Sequence, residues 1–335
     1  MRVPVFTGQG KVEFGEKPAP APGSGQLLVQ VKANALCGSE RGQFLNGSLV
    51  TPGHEAAGIV AAAGTNTSIP VGTPGVIFLM DYCGACRSCR LGYTNQCLSK
   101  RADMGFNRDG GYGPFEVVSE SIFFPIPPDI PCSEATLLLD IMGTGGHALE
   151  RAAVARPDSE SLLITGAGPI GLGVLAMARI CLGPSLPMLI TDFAPYRLQL
   201  AEALDGRTID LREMDLADGL KRHGLTRVDV ALDTTGKQEA RQQALAALDR
   251  RGALICIGHG EGLTLDVSRD LIAPERAVLG SEYFRFNELP GNLDLLSSHR
   301  QYLGQIITHR FPAGEIQQAF EIFFSGQTGK VLIEQ

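Results

Sequence analysis

Along the first third of the chain, apolar residues come in short alternating runs such as Leu27-Leu28-Val29-Gln30-Val31 and Gly58-Ile59-Val60, broken repeatedly by glycine and proline. A period of two buries one face of a strand and leaves the other polar, so Arg2 to about Pro131 is expected to be mainly β. The texture changes near Ser161. Strands expected at 161–165, 187–191, 228–232 and 253–257 alternate with helices expected from about Gly171, over 197–204 and over 239–248. Buried strands separated by helices predict a parallel, doubly wound sheet. The C-terminal stretch is mixed again, with a helix near 316–323 and a strand at 330–333. The expected fold is therefore α/β, with a mainly-β domain of residues 1–145 together with 283–335 and a cofactor domain of residues 146–282 inserted between them. No internal repeat or low-complexity linker interrupts this pattern.

Composition narrows the picture. The 335 residues, 44% of them hydrophobic and 19% charged, with 41 glycines, describe a globular chain rich in tight turns. A net charge of −7 and a pI near 5.4 leave no basic stripe for a phosphate backbone, which excludes nucleic acid as an expected partner. The stretch Gly168–Ile190 carries Arg179 as its only charge, but Pro169, Pro184 and Pro187 divide it. It reads as a phosphate loop, a buried helix, a turn and a strand, not as a membrane span. The first residues lack the apolar stretch and small-residue cleavage site of a secretory leader, so a cytoplasmic protein is expected. Eight cysteines would allow four disulfides, yet four of them fall between Cys83 and Cys97, a clustering that in a reducing compartment points to metal.

That cluster, Cys83-x-x-Cys86-x-x-Cys89 followed by Cys97, is the strongest chemical signal. Four thiolates on one loop can close a tetrahedron around a soft cation, and zinc is the natural occupant. An iron–sulfur cluster or four free thiols are the other readings, but no proline follows Cys97 and no second cluster motif exists. With all four positions filled by protein, such a zinc organises the lobe and does no chemistry. The second signal is Gly166-Ala167-Gly168-Pro169-Ile170-Gly171, between an expected strand and an expected helix. Glycines there let a pyrophosphate approach backbone amides at a helix N-terminus. Asp192, ending the next strand, is placed to accept hydrogen bonds from an adenosine ribose and to repel a 2′-phosphate, which favours NAD over NADP. Its other reading is a cap for the following helix, and Arg197 tempers the preference because it could turn toward a phosphate. The third signal is dispersed: Cys37-Gly38-Ser39-Glu40, Gly53-His54-Glu55-x-x-Gly58-x-Val60 and Asp140. A thiolate, an imidazole and a carboxylate could hold zinc with an open fourth position. Taken singly, Cys37 and His54 also read as core residues and Asp140 as a helix cap.

In this order and spacing these motifs resemble the zinc-containing medium-chain dehydrogenase/reductase (alcohol dehydrogenase-like) family over essentially the whole chain, and most of all its sorbitol, threonine and polyol dehydrogenase branch. The resemblance implies a GroES-like catalytic domain with a structural zinc lobe at about 81–99 and a Rossmann cofactor domain. It implies two zinc ions per chain, a structural one on Cys83, Cys86, Cys89 and Cys97, and a catalytic one on Cys37, His54 and Asp140, the acidic ligand seven residues before His147-Ala148. Glu55 becomes a neighbouring or exchangeable ligand. NAD is placed on Gly166, Gly168, Pro169, Ile170 and Gly171, with Asp192 and Arg197 at the ribose and Gly258 and His259 toward the nicotinamide. His259 has a surface-loop reading as well.

The implied reaction moves a hydride from the secondary carbon of an alcohol, polyol or sugar alcohol to NAD. Zinc polarises the substrate oxygen, and Ser39 takes the proton. A threonine-type or simple alcohol dehydrogenase is the alternative within the family, and a non-catalytic zinc and nucleotide-binding regulator the alternative outside it. Relatives form dimers or tetramers, so a homodimer or homotetramer is expected, with strands near Val278–Ser281 as candidates for pairing. The chain departs from the pattern at Gly42, where many relatives carry a proton-relay histidine, and at Gly110-Gly111-Tyr112-Gly113-Pro114-Phe115, in place of Gly-Gly-x-Ala-Glu-Tyr. Ser39 with water, the cofactor ribose or Glu40 are the candidate proton exits. Phe44, Phe106, Tyr283, Phe284 and Arg285 are candidates for the substrate pocket, with core packing as their other reading.

Overall fold

The computed structural model describes residues 1–335. It divides into two compact units, Met1–Asp140 with Arg285–Gln335, and Ile141–Phe284. The first is mainly β. A hairpin of Arg2–Gly8 and Lys11–Glu16 stands beside a seven-stranded sheet whose central strand is Gln26–Ala35. One half of that strand pairs antiparallel with Phe115–Ser119, its other end with Lys330–Glu334, and Ala56–Ala63 runs along it. Val29, Val31, Ala33 and Ala35 are buried while Gln30 is exposed, the alternation that the sequence predicts for a half-buried strand. The helix Ile316–Phe324 buries Ile316, Ala319, Phe320 and Phe323, residues spaced to share one face. They close a cluster with Phe6, Leu36, Phe44, Tyr112, Val331 and Ile333. Burying each of its large side chains is worth roughly 1.5–3 kcal/mol, so this cluster anchors the C-terminal strand to the first third of the chain.

One residue of this unit opposes burial. Glu116 points inward from its strand, 1% exposed, with neither carboxylate oxygen hydrogen-bonded. Burial, and then the charge of Asp109, raises its pKa well above the ordinary value. A carboxyl whose folded-state pKa is raised contributes its full stability below its unfolded pKa and loses it as pH rises through the folded one. Glu116→Gln removes that titration. It should stabilise the protein by about 1–3 kcal/mol at pH 8 and by much less near pH 4.5, read from melting temperatures at the two pH values. Equal shifts at both would show that ionisation is not the cost.

The second unit is a six-stranded, all-parallel sheet in the order Arg207–Asp210, Met188–Asp192, Leu162–Thr165, Val228–Asp233, Leu248–Cys256, Ala277–Gly280. The chain winds outward from Leu162–Thr165 in one direction and then crosses to Val228–Asp233 on the other side. The crevice beyond the carboxyl ends of those two strands is where such sheets bind ligands. Helix Pro169–Leu182 follows the first strand, with Gly168 as N-cap and proline in the first turn, where its missing N–H costs nothing. The helix packs tightly onto the loop before it: a Cβ on Gly171 would lie 1.9 Å from the carbonyl oxygen of Gly166, so only glycine fits. No helix of the chain is long and apolar enough to cross a membrane.

Candidate active site and metal centres

The four cysteines of the lobe converge. The turn at Cys86–Arg90 and the one at Thr94–Gln96 bring the sulfurs of Cys83, Cys86, Cys89 and Cys97 within 4.8 Å of one another, with Cys86 Sγ 4.0 Å from Cys97 Sγ. Ligand atoms around one tetrahedral zinc lie about 3–4 Å apart, so the four fit a single ion. The loop also directs backbone N–H groups at the sulfurs: Cys83 N donates to Cys97 Sγ, Cys86 N to Cys83 Sγ, and Cys89 N and Leu98 N to Cys86 Sγ. The amides of Cys89 and Leu98 hold the Cys86 thiol down at about 6. Burial and the neighbouring Cys86 and Cys97 thiols push Cys89 up to about 12, a crowding that a cation at the centre relieves. All eight cysteines are free.

The dispersed trio also comes together, and with company. Cys37 follows the central strand and precedes the short turn Gly38–Glu40, His54 and Glu55 precede strand Ala56–Ala63, and Asp140 opens a single wide turn, Asp140–Thr144. One ligand atom from each of Cys37, His54, Glu55 and Asp140 lies within 4.8 Å of the others, and all four residues are buried. The Cys37 thiol donates to Asp140 Oδ2 over 3.1 Å, and His54 Nε2 lies 3.7 Å from the same oxygen. These are again the separations of ligands around one small cation. Asp140 therefore faces the site with its carboxylate.

Burial and mutual charge govern the electrostatics of this cluster. Burial and the Asp140 carboxylate raise the Cys37 pKa. Burial, then Asp140, raises Glu55 well above the usual carboxylate range. Burial alone would depress His54, but its bonds to Asp140, Cys37 and Glu40 raise it well above the ordinary value. For Asp140, burial is outweighed by the bond to His54, and its pKa is lowered.

Three further residues shape this site. The side chain of Lys330, 1% exposed, pairs with Glu55 Oε1, while Glu55 Oε2 has no hydrogen-bond partner. The sequence marks Lys330 only as the charge that opens the apolar run 330–333. Glu40 accepts from His54 Nδ1 over 2.9 Å and from Cys37 N over 3.3 Å. Glu40 is fully buried, which corrects the expectation that it could lead a proton to solvent. Tyr112 donates to the same carboxylate. Ser39 is exposed, two residues from Cys37.

Of the candidate pocket residues, Phe106 lies beside the cluster. Its ring is 5.0 Å from the imidazole of His54 and it remains 37% exposed. The others are corrected. Phe44 stacks on Phe320 in the core, Phe284 is fully buried where a Cβ on Gly143 would meet its ring, Tyr283 packs on Phe284, and Arg285 pairs with Glu288.

In the second unit, Asp192 takes on a bracing role. Its Oδ2 accepts from Ala167 N over 2.7 Å, and its Oδ1 from Phe193 N and Ala194 N over 2.8 and 2.9 Å. It thus ties the glycine loop to the next helix while lying beside the crevice. The guanidinium of Arg197 reaches to 3.8 Å from where a Cβ on Gly168 would stand, over the loop. Gly258 follows strand Leu248–Cys256, and Arg241 donates to its carbonyl. The side chain of His259 is 83% exposed, with Nε2 3.0 Å from Glu282 Oε2, consistent with its surface-loop reading.

This combination, a buried cluster of four possible ligands in one unit, a four-cysteine lobe and a glycine loop on a parallel sheet, agrees with the comparisons to known proteins. Residues 23–128 match the alcohol dehydrogenase GroES-like domain and residues 169–298 the zinc-binding dehydrogenase domain. L-threonine 3-dehydrogenase of Coxiella burnetii (strain Dugway 5J108-111) is 31% identical over 336 residues, covering 94% of each chain. Among solved structures, an alcohol dehydrogenase of Escherichia coli CFT073 complexed with NADH aligns over 100% of this chain and 99% of its own, with TM-score 0.89 and 20% identity. L-idonate 5-dehydrogenase of E. coli K-12 aligns over 100% and 98%, with TM-score 0.85 and 21% identity. The chain belongs to the zinc-containing medium-chain dehydrogenase family. It is an oxidoreductase of the zinc-binding dehydrogenase type.

Proposed function

We propose that the chain oxidises a secondary alcohol, of the polyol, sugar-alcohol or hydroxy-amino-acid class, to the ketone with NAD. The observation that carries this reading is the buried convergence of Cys37, His54, Glu55 and Asp140. Cys37, His54 and Asp140 hold the catalytic zinc, Glu55 stands beside it, and Cys83, Cys86, Cys89 and Cys97 hold the structural one. When bound, zinc supplies a Lewis acid that lowers the pKa of a substrate hydroxyl, and NAD supplies the hydride acceptor. The residues of the chain do the rest. Glu40 fixes the His54 tautomer by accepting from Nδ1, which leaves Nε2 free for a metal. Phe106 packs at a tilt against that imidazole. The loop at Gly166–Gly171 receives the pyrophosphate, with Asp192 and Arg197 at the ribose. L-threonine at position 3 and L-idonate at position 5, the substrates in the names of two similar proteins, both carry the reacting hydroxyl on a secondary carbon, which supports the substrate class. The eight free thiols suit a cytoplasmic enzyme.

NADH formation at 340 nm across polyols, sugar acids, L-threonine and primary alcohols tests the reading. Turnover confined to primary alcohols, or none with any compound despite full zinc and bound NAD, would overturn it. Proton exit follows from the same geometry. Ser39 is the exposed hydroxyl two residues from Cys37, and a Cβ added at Gly42 meets nothing within 4 Å, so the backbone there leaves room for a side chain to start. Gly42→His should raise kcat up to about 10-fold below pH 8, and Ser39→Ala should lower it by roughly 10²-fold, with KM changing less in both. A Ser39→Ala enzyme with unchanged kcat would assign the proton to another path.

A further inference from the structure

The stretch Gly110–Phe115, where the chain departs from the pattern of its family, is folded directly against the metal site. Three backbone hydrogen bonds tie it to the turn that precedes His54: Gly110 N to Thr51 O, Gly111 N to Gly53 O, and Tyr112 N to Pro52 O, at 2.7, 2.9 and 3.1 Å. The approach is as close as backbones allow, since a Cβ on Gly110 would stand 2.0 Å from the carbonyl oxygen of Gly53. From this pinned backbone the Tyr112 side chain enters the aromatic core, stacked on Phe6 at 6.1 Å and edge-on to Phe320 at 5.6 Å. Its hydroxyl emerges 2.5 Å from Glu40 Oε2. That carboxylate is the acceptor for His54 Nδ1 and for Cys37 N, so it touches two of the proposed zinc ligands.

We propose that Tyr112 is a positioning residue of the zinc centre. Its hydroxyl fixes the rotamer of Glu40, and Glu40 in turn fixes the His54 ring and the Cys37 backbone. The rest of the fold supports this assignment. Tyr112 and Glu40 are both fully buried, so no water competes for the bond. Glu40 has two oxygens for three donors, and Tyr112 shares Oε2 with the Cys37 amide. Without the hydroxyl, Oε2 keeps only that 3.3 Å amide bond, and the carboxylate can rotate about its last bond. The imidazole is then held from one side only. Partners one step behind a metal ligand typically change metal affinity by about 10–100-fold. Tyr112 acts one step further back, and an effect of about 3–10-fold is expected.

The inference rests on the zinc assignment of the proposed function, and its test separates the two. Release of zinc from the intact chain to a chromogenic chelator is followed by stopped flow, and the ligand-field spectrum is recorded after cobalt substitution. Tyr112→Phe keeps the ring and should release one of two zincs about 3–10-fold faster, with a shifted cobalt band and a nearly unchanged melting temperature. Phe320→Leu loosens the same aromatic cluster without touching Glu40. It should lower the melting temperature and leave release and spectrum as in the wild type. In a Glu40→Gln background, Tyr112→Phe should add nothing further to the release rate.

Wild-type release and spectrum in Tyr112→Phe, or equal acceleration by Phe320→Leu, overturns the positioning role alone. A wild-type chain that takes up metal only in the cysteine lobe overturns the zinc assignment, and this inference with it.

Discussion

Asp140→Asn is expected to leave the chain with one zinc where the wild type has two, and to lower kcat/KM for an alcohol by at least about 10³-fold, a loss on the order of 4 kcal/mol of transition-state stabilisation. The substitution keeps the shape of the side chain and removes its charge. Asp140 Oδ2 stands between Cys37 Sγ and His54 Nε2, so the amide would present a weak neutral donor, or an N–H, at the centre of the cluster. The cysteine lobe shares no residue with this site and should keep its ion, which makes total metal content a clean readout. A variant with two zincs and wild-type turnover would remove Asp140 from the ligand set and leave Glu55 as the acidic member.

Lys330→Met should be the most destabilising single change in the first unit, by about 3–5 kcal/mol, because it strands the Glu55 carboxylate in the interior without its cation. The melting transition of the zinc-loaded protein should fall by on the order of 10 °C. Lys330→Met combined with Glu55→Gln should recover most of that loss, since a neutral pair no longer carries a buried charge. If the single variant melts like the wild type, the pair contributes no net stability and its place in the site has another reason.

Both predictions concern residues with different histories in the sequence. Asp140 was identifiable only through a family resemblance, because a lone aspartate before a helical stretch reads equally well as a cap. The four-cysteine lobe and the glycine loop needed no such help, since each is contiguous and its spacing alone closes a site. The same contrast governs the fold. Strand Gln26–Ala35 and helix Ile316–Phe324 announce themselves through their periods. Strand Arg207–Asp210 and helix Leu216–Arg222 do not, because the strand lies at a sheet edge with only Ile209 buried and the helix is a short charged segment. Helix Leu289–Gly304 is also hard to read, because Pro290 and Gly291 open it, the buried stripe includes the polar Asn292, and the chain kinks at His299.

Aromatic residues carry two readings in the sequence. Phe44 and Phe284 suit a pocket as well as a core, and only the packing of Phe320 and Gly143 against them decides. Lys330 and Tyr112 meet their partners across 275 and 72 residues of sequence, where no local pattern can pair them.

That separation has a consequence for how the enzyme comes into being. Lys330 is made 275 residues after its partner Glu55, and the whole segment Ile141–Phe284 leaves the ribosome in between. The inserted sheet is contiguous in sequence and can assemble as soon as it emerges, while the earlier segment waits with an unneutralised acid in its unfinished interior. Synthesis order therefore imposes a delay on the metal centre, during which the nascent chain exposes the strand edge that Lys330–Glu334 will later cover. Slow elongation through the inserted segment should lengthen that exposure and raise the demand for chaperones, with no change in the finished protein.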